Sequence, residues 1–184
     1  MADNRNVLRI NAQFQKAIKE PNEYIKFAVD DDPYTWLILI HNISGNKDEY
    51  LGGEFIFRMI LPKDFPYNPP EFYALTPNGL YDCHKKCCIS IGEFHKDEYR
   101  AVLGASGFAK ELANGLINWH EVESGMNMLR TNYEEKKGLA KSSRDYNLKF
   151  NKKFLDLIEN QFKSYSKKWD RSKITDEIKR CLNL

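Results

Sequence analysis

The chain has 184 residues, of which 42% are hydrophobic and 13% aromatic, enough apolar material for a packed core. Its net charge of +2 is too small to indicate nucleic-acid binding. The longest apolar run, Trp36 to Ile40, has five residues, whereas a membrane-spanning helix needs about 20. The N-terminus has no apolar signal core. We therefore expect no transmembrane segment, no secretion and a cytoplasmic protein, with the nucleus as a second location.

The first two-thirds of the chain predict one helix followed by a four-stranded sheet. Residues 6–20 carry apolar side chains at helical spacing, which predicts an amphipathic helix. Alternating or dense apolar residues then predict four strands with short connections, which favours an antiparallel meander. The predicted strands are 24–30, 34–42, 53–61 and 71–75.

Irregular segments and helices follow the predicted sheet. Residues 62–70 contain four prolines and predict a stiff loop, since proline cannot donate a backbone hydrogen bond. Residues 76–107 form a long irregular stretch of the kind that often carries function. Helical spacing resumes at 108–120, and an aromatic stripe from Tyr146 to Trp169 predicts one long amphipathic helix. The fold class is therefore α+β, with helices after the meander.

The distribution of charge suggests two parts. Residues 136–184 hold 14 basic and 6 acidic residues, a net charge of +8, while the remainder is acidic. We predict a core over 1–125 and a basic helical extension over 126–184. The extension would pack its aromatic stripe on the core or on a partner, because an exposed stripe of that length is unfavourable in water.

Three of the four cysteines, Cys83, Cys87 and Cys88, lie within six residues. A disulfide framework would place cysteines farther apart along the chain, and no signal peptide points to an oxidising compartment. The cluster therefore indicates thiols with a chemical or metal-binding role. Lys85 and Lys86 precede the last pair and would favour a thiolate.

The segment that joins the predicted sheet to this cluster resembles a known family. Thr76-Pro77-Asn78-Gly79 is followed, ten residues after Asn78, by Cys88-Ile89-Ser90-Ile91 and then by Phe94-His95-Lys96-Asp97. This pattern is similar to that of ubiquitin-conjugating enzymes, most of which carry His-Pro-Asn. It is most similar to the J-type branch, tied to endoplasmic-reticulum-associated degradation, which carries Thr-Pro-Asn and the ten-residue spacing.

The resemblance implies a ubiquitin carrier with a catalytic cysteine and no cofactor. Cys88 is the expected nucleophile, and Asn78 is expected to stabilise the oxyanion or to hold the loop that does. Candidates for steering the incoming amine are His95, His120 and Glu121. J-type relatives have a C-terminal membrane anchor, so the surface of the endoplasmic reticulum is a further location if an anchor has been removed from this chain.

Partners also follow from the resemblance. They are ubiquitin, an activating enzyme and a ligase, most often of the RING type. The expected ligase contacts are Tyr67, Pro66 and Ala101. The expected activating-enzyme contacts on the first helix are Arg5, Arg9 and Lys16, with plain solubility as their alternative role.

Three other interpretations remain open from the sequence. The chain could be an inactive binding module of the same fold, although such variants lack the cysteine. It could carry another ubiquitin-like modifier. A zinc site is the third alternative, with ligands among Cys83, His84, Cys87, Cys88 and His95, but these do not form two separated ligand pairs. We expect no bound metal.

Overall fold

An N-terminal helix, a four-stranded sheet and three further helices follow one another in the computed structural model, which describes residues 2–20, 22–43, 48–89, 99–121 and 127–166. The elements are α1 (Ala2–Lys19), β1 (Ile25–Val29), β2 (Thr35–Ile40), β3 (Phe55–Ile60), β4 (Glu71–Ala74), α2 (Gly104–Ile117), α3 (Tyr133–Phe150) and α4 (Lys152–Ser166). Short 3-10 helices lie at Ala101–Leu103 and Trp119–Glu121. Within these ranges we find no helix both long and apolar enough to cross a bilayer.

The sheet is the antiparallel meander that the sequence predicts. The strands pair in the order β1-β2-β3-β4, with Ile25 opposite Ile40, and Thr35 opposite Ile60. Each predicted strand is found within a few residues of its expected bounds. The α+β fold class is confirmed, with the helix before the sheet and the other helices after it.

The inner face of the sheet packs against α1 and α2. Trp36, Ile38 and Ile40 alternate along β2 and point to this side, and all three are fully buried. The ring of Phe14 on α1 meets the ring of Trp36 edge to face, with 5.1 Å between centroids. This face forms the larger of two apolar clusters.

The outer face of the sheet packs against α4. Leu37 and Leu39, the other residues of the β2 alternation, lie under Leu155 and Ile158. Both faces of the central strand are therefore buried, which explains its dense apolar run.

The free edge of β1 is also covered by α4. The Gln161 side chain accepts a hydrogen bond from the Val29 N–H at 3.0 Å and donates one to the Val29 carbonyl at 2.9 Å. A side-chain amide thus satisfies backbone groups that an edge strand otherwise exposes.

The prediction of one long helix from Tyr146 onward is wrong, because the chain forms two helices that join at Asn151. Asn151 caps α3 through its N–H to the Asn147 carbonyl, while its own carbonyl accepts from Leu155 at the start of α4. Phe150, which belongs to the predicted aromatic stripe, is 61% exposed. The stripe beyond residue 166 lies outside the described residues.

Helix α3 begins thirteen residues before the predicted helix. Its first turn has a capping box, in which the Asn132 side chain accepts from the Glu135 N–H and the Glu135 carboxylate accepts from the Asn132 N–H. Its buried face is mostly polar: Lys136, Ala140, Ser143 and Asn147. The predicted boundary at residue 125 falls in the undescribed segment 122–126, so the division into two parts stays a prediction.

Candidate active site

Asn78 lies at the centre of a tightly bonded loop that follows β4. Its side-chain oxygen accepts hydrogen bonds from the N–H groups of Leu80 at 2.9 Å and Tyr81 at 2.8 Å. Its amide nitrogen donates to the Thr76 carbonyl at 3.1 Å. The Tyr50 hydroxyl donates to the Asn78 carbonyl at 2.8 Å. Asn78 is fully buried, and in this structure it holds the loop.

The cysteine segment returns along β4. Isolated β-bridges pair Cys83 with Ala74 and Lys86 with Tyr73. The Cys87 N–H donates to the Phe72 carbonyl at 2.7 Å. Because Cys87 is held against the strand, Cys88 is presented at a fixed point of the sheet edge. A fixed position matters for a nucleophile, since reaction rates depend strongly on orientation.

Burial keeps two of the three clustered cysteines as thiols. It raises the pKa of Cys83 to about 11 and the pKa of Cys87 to about 12. A thiol with such a pKa is a poor nucleophile near neutral pH, because the thiolate is the reactive form. These two cysteines are therefore suited to packing.

Cys88 differs from its two neighbours in its packing. Cys87 and Ile89 belong to the inner apolar cluster, whereas Cys88 lies outside it, as alternation along an extended chain predicts. Cys88 is 6% exposed. The residues that follow, 90–98, lie outside the described part of the chain.

Tyr81 links the Asn78 loop to the cysteine segment. Its N–H is bound by Asn78, and its phenol is buried. Burial raises the pKa of this phenol, and the nearby Cys87 and Cys88 raise it further. Tyr81 is therefore hydrogen bonded to Asn78 and lies near both Cys87 and Cys88.

Both lysines before the cysteine pair are bound to carboxylates. Lys85 pairs with Asp82 at 2.5 Å, and Lys86 pairs with Glu71 at 2.8 Å. Their positive charges are therefore largely compensated, and the expected support for a thiolate at Cys88 is weaker than the sequence suggests.

The zinc alternative gains no support from the described residues, where no group of three or more His, Cys, Asp or Glu side chains is placed to hold a metal ion. His95, one of its predicted ligands, lies in the undescribed segment 90–98.

The three predicted rim residues stay predictions. His95 is outside the described residues, as is the side chain of Glu121, whose backbone ends the second 3-10 helix. His120 is exposed in that helix, with its ring edge to face against Trp119 at 6.2 Å between centroids.

The predicted ligase contacts share one surface. The Tyr99 hydroxyl donates to the carbonyls of Pro66 and Asn68, which ties the segment before Ala101 to the proline-rich loop. Tyr67 is 75% exposed, and Ala101 is exposed as well. The sequence did not single out Val102, which is 90% exposed and extends this surface.

The predicted activating-enzyme contacts form one stripe on α1. Arg5, Arg9 and Lys16 are all exposed, and at 3.6 residues per turn they lie within about 40° of one another around the helix. Lys16 also pairs with Glu20 at 3.8 Å.

We expect alkylation to separate the clustered cysteines. Because Cys88 is the expected nucleophile and burial raises the pKa of Cys87, iodoacetamide at pH 8 should label Cys88 at least about ten times faster than Cys87. Peptide mass spectrometry after short exposures measures each site separately. Equal rates at Cys87 and Cys88 would contradict this assignment.

Comparison with known proteins places this site in a family. No family model matches the chain. Ubiquitin-conjugating enzyme E2 J2 of Mus musculus is 33% identical over 153 residues, covering 82% of this chain and 56% of that protein. A J2-like ubiquitin-conjugating enzyme of Dictyostelium discoideum is 30% identical over 153 residues, covering 83% of this chain and 86% of that protein.

A solved structure agrees with the sequence relatives. Human ubiquitin-conjugating enzyme E2 G1 superposes with a TM-score of 0.52 at 26% identity, covering 62% of this chain and 96% of that chain. The fold and the cysteine site together define a ubiquitin-conjugating-enzyme type of protein, and the chain belongs to the ubiquitin-conjugating enzyme family. Its J2 relatives confirm the J-type resemblance. The chain spans just over half the length of the mouse relative.

Proposed function

We propose that the protein carries ubiquitin as a thioester on Cys88. The Cys88 thiolate attacks the thioester carbonyl that joins the C-terminal glycine of ubiquitin to an activating enzyme. A new carbon–sulfur bond forms, the old one breaks, and the enzyme's thiolate leaves. A substrate amine then attacks the new thioester, an amide forms, the Cys88 thiolate leaves, and the amine's proton passes to a base at the rim or to water.

The observation that carries this proposal is the contrast within the cysteine cluster. Burial raises the pKa of the half-buried Cys83 and of the buried Cys87. Cys88 is 6% exposed and is not a member of the inner apolar cluster to which Cys87 belongs. Cys88 directly follows Cys87, whose N–H is hydrogen bonded to β4. Tyr81, which lies near Cys88, is hydrogen bonded to Asn78. This arrangement supports a nucleophile held beside a rigid loop.

The reaction needs no cofactor in this chain, because the activating enzyme uses the ATP. Asn78 acts mainly by shaping the loop, since its oxygen already accepts two N–H groups. Its amide nitrogen makes one hydrogen bond and has a second hydrogen for an oxyanion.

The same proposal assigns the partners. The α1 stripe of Arg5, Arg9 and Lys16 would meet the activating enzyme, and the exposed surface that includes Tyr67 and Val102 would meet a ligase of the RING type. An aromatic and an aliphatic side chain exposed together are suited to the apolar centre of a protein interface. The thiol state of Cys83, Cys87 and Cys88 is consistent with the reducing cytoplasm.

A charging assay tests this function. The protein is mixed with ubiquitin, activating enzyme and ATP, and the products are separated with and without reductant. We expect an added band, larger by one ubiquitin, that reductant removes. Parallel reactions with other ubiquitin-like modifiers and their own activating enzymes test the alternative modifier. Charging only by another modifier, or no charging beside an active control enzyme, would contradict the proposal.

A further inference from the structure

Two polar side chains of α3, together with that of its cap Asn151, reach towards the loop that contains Asn78. Lys136, Asn147 and Asn151, which we call the α3 clamp, are all buried. Such groups are costly to bury unless they are hydrogen bonded, so their partners indicate what the helix is built to hold. The clamp side chains hold the segment from Leu75 to Gly79 at both ends, directly at Leu75 and Thr76 and through Thr131 at Gly79.

At the first end, the clamp binds Thr76. The Thr76 hydroxyl donates to the Asn147 side-chain oxygen at 2.5 Å and accepts from the Ile56 N–H at 2.9 Å. The Asn151 amide donates to the Leu75 carbonyl at 3.0 Å and to the same Asn147 oxygen at 3.0 Å. The loop therefore leaves β4 along a path fixed by α3 on one side and by β3 on the other.

The amide nitrogen of Asn147 is anchored as well. It donates to the Glu54 carbonyl at 2.8 Å, while the Glu54 N–H donates to the Ser143 hydroxyl at 2.8 Å. The orientation of the Asn147 amide is thus fixed, and its oxygen can face only the Thr76 and Asn151 donors. Residue 76 is the position where this chain has threonine and most of the family has histidine.

At the other end, the clamp holds Gly79 through Thr131. The Lys136 ammonium donates to the Thr131 carbonyl at 2.6 Å and to its hydroxyl at 2.8 Å, and that hydroxyl donates to the Gly79 carbonyl. Gly79 has φ of +74°, and a Cβ there would lie 2.6 Å from the Thr131 hydroxyl oxygen. The positive φ and the close approach of Thr131 together require a glycine at this position.

We propose that Asn147 is a positioning residue for the active-site loop, which it holds through the Thr76 hydroxyl. This inference rests on the proposed function of Cys88 and Asn78. Asn147 does not touch the reacting atoms; it fixes where the Asn78 amide lies relative to Cys88. A small displacement of such a group is enough to slow a reaction by an order of magnitude or more.

The test measures the release of ubiquitin from the charged full-length chain in one turnover at saturating free lysine. Asn147→Leu and Thr76→Val remove the same hydrogen bond from opposite sides. Thr76→Ser keeps the hydroxyl. Gln161→Leu is the matched control, because it also removes side-chain amide hydrogen bonds between a helix and the sheet, but at Val29 of β1, away from Leu75 to Gly79.

We expect Asn147→Leu and Thr76→Val each to lower the maximal discharge rate by about 10-fold, with little change in the lysine concentration for half-maximal rate. The double variant should lose much less than the product of the two single effects, because both single variants remove the hydrogen bond between Thr76 and Asn147. Thr76→Ser and Gln161→Leu should discharge within about twofold of the wild type. If Asn147→Leu does not fold, the Thr76 pair decides the question.

Amide hydrogen exchange gives a readout that does not depend on the chemistry. The N–H groups of Leu80 and Tyr81 should exchange about 10-fold faster in Asn147→Leu and Thr76→Val than in Gln161→Leu, since they report on the Asn78 loop. Unchanged exchange and discharge in these variants, or an equal loss in Gln161→Leu, would overturn the proposal. If the wild type does not charge, the proposed function fails, and exchange alone still decides whether α3 orders the loop.

Discussion

Replacing Asn78 with alanine should lower the rate of thioester discharge by on the order of 10²- to 10³-fold. The substitution removes the acceptor for the N–H groups of Leu80 and Tyr81 and the amide hydrogen that we propose for the oxyanion. Discharge of the preformed thioester to free lysine, followed on non-reducing gels, measures the effect without the activating enzyme.

The control for this prediction is Asn22→Ala. The Asn22 side chain accepts from the Tyr24 N–H at 2.8 Å, so it makes a similar local turn at β1, at the edge of the sheet opposite to β4. This variant should discharge normally. A folded Asn78→Ala protein that discharges within threefold of the wild type would contradict the assigned role of Asn78.

A chain that ends at residue 125 should not fold to a stable protein. It lacks α3 and α4, so Leu37, Leu39 and Ile56 on the outer face of the sheet would be exposed to water. Burying each such side chain contributes about 1.5–3 kcal/mol, and a typical domain is stable by only about 5–15 kcal/mol. The truncated chain would also lose the clamp on the Asn78 loop.

Circular dichroism during thermal unfolding checks this prediction. A chain ending at residue 166 keeps both helices and serves as the control, with a cooperative transition expected. A cooperative transition for residues 1–125, at a midpoint close to that of the full chain, would contradict the account and would support an independent core over 1–125.

The sheet could be predicted from the sequence because its strands obey simple periodicity. Both faces of β2 are buried, which gives the dense run from Trp36 to Ile40, and the neighbouring strands show partial alternation. Helix α3 could not be predicted in the same way, because its buried face carries Lys136, Ser143 and Asn147 in place of apolar residues. The capping box at Asn132 was a usable signal for its start.

The positions of Cys88 and Asn78 could be predicted from motif spacing, but the contacts that hold the loop could not. Thr76 and Asn147 are 71 residues apart in the chain, and no local pattern indicates that they meet. The proximity of Lys85 to Cys88 in the sequence was also misleading, because Lys85 forms an ion pair with Asp82. These contacts depend on the packing of α3 against β3, which only the folded structure reveals.

The chemical nature of the ubiquitin adduct tests the central claim most directly. Cys88→Ser replaces the sulfur with an oxygen, so charging should give an adduct that resists reductant and is released by hydroxide, because an oxygen ester replaces the thioester. Cys87→Ser and Cys83→Ser should keep a reductant-sensitive adduct. A reductant-sensitive adduct that persists in Cys88→Ser, or is lost in Cys87→Ser while that protein remains folded, would show that another cysteine carries ubiquitin.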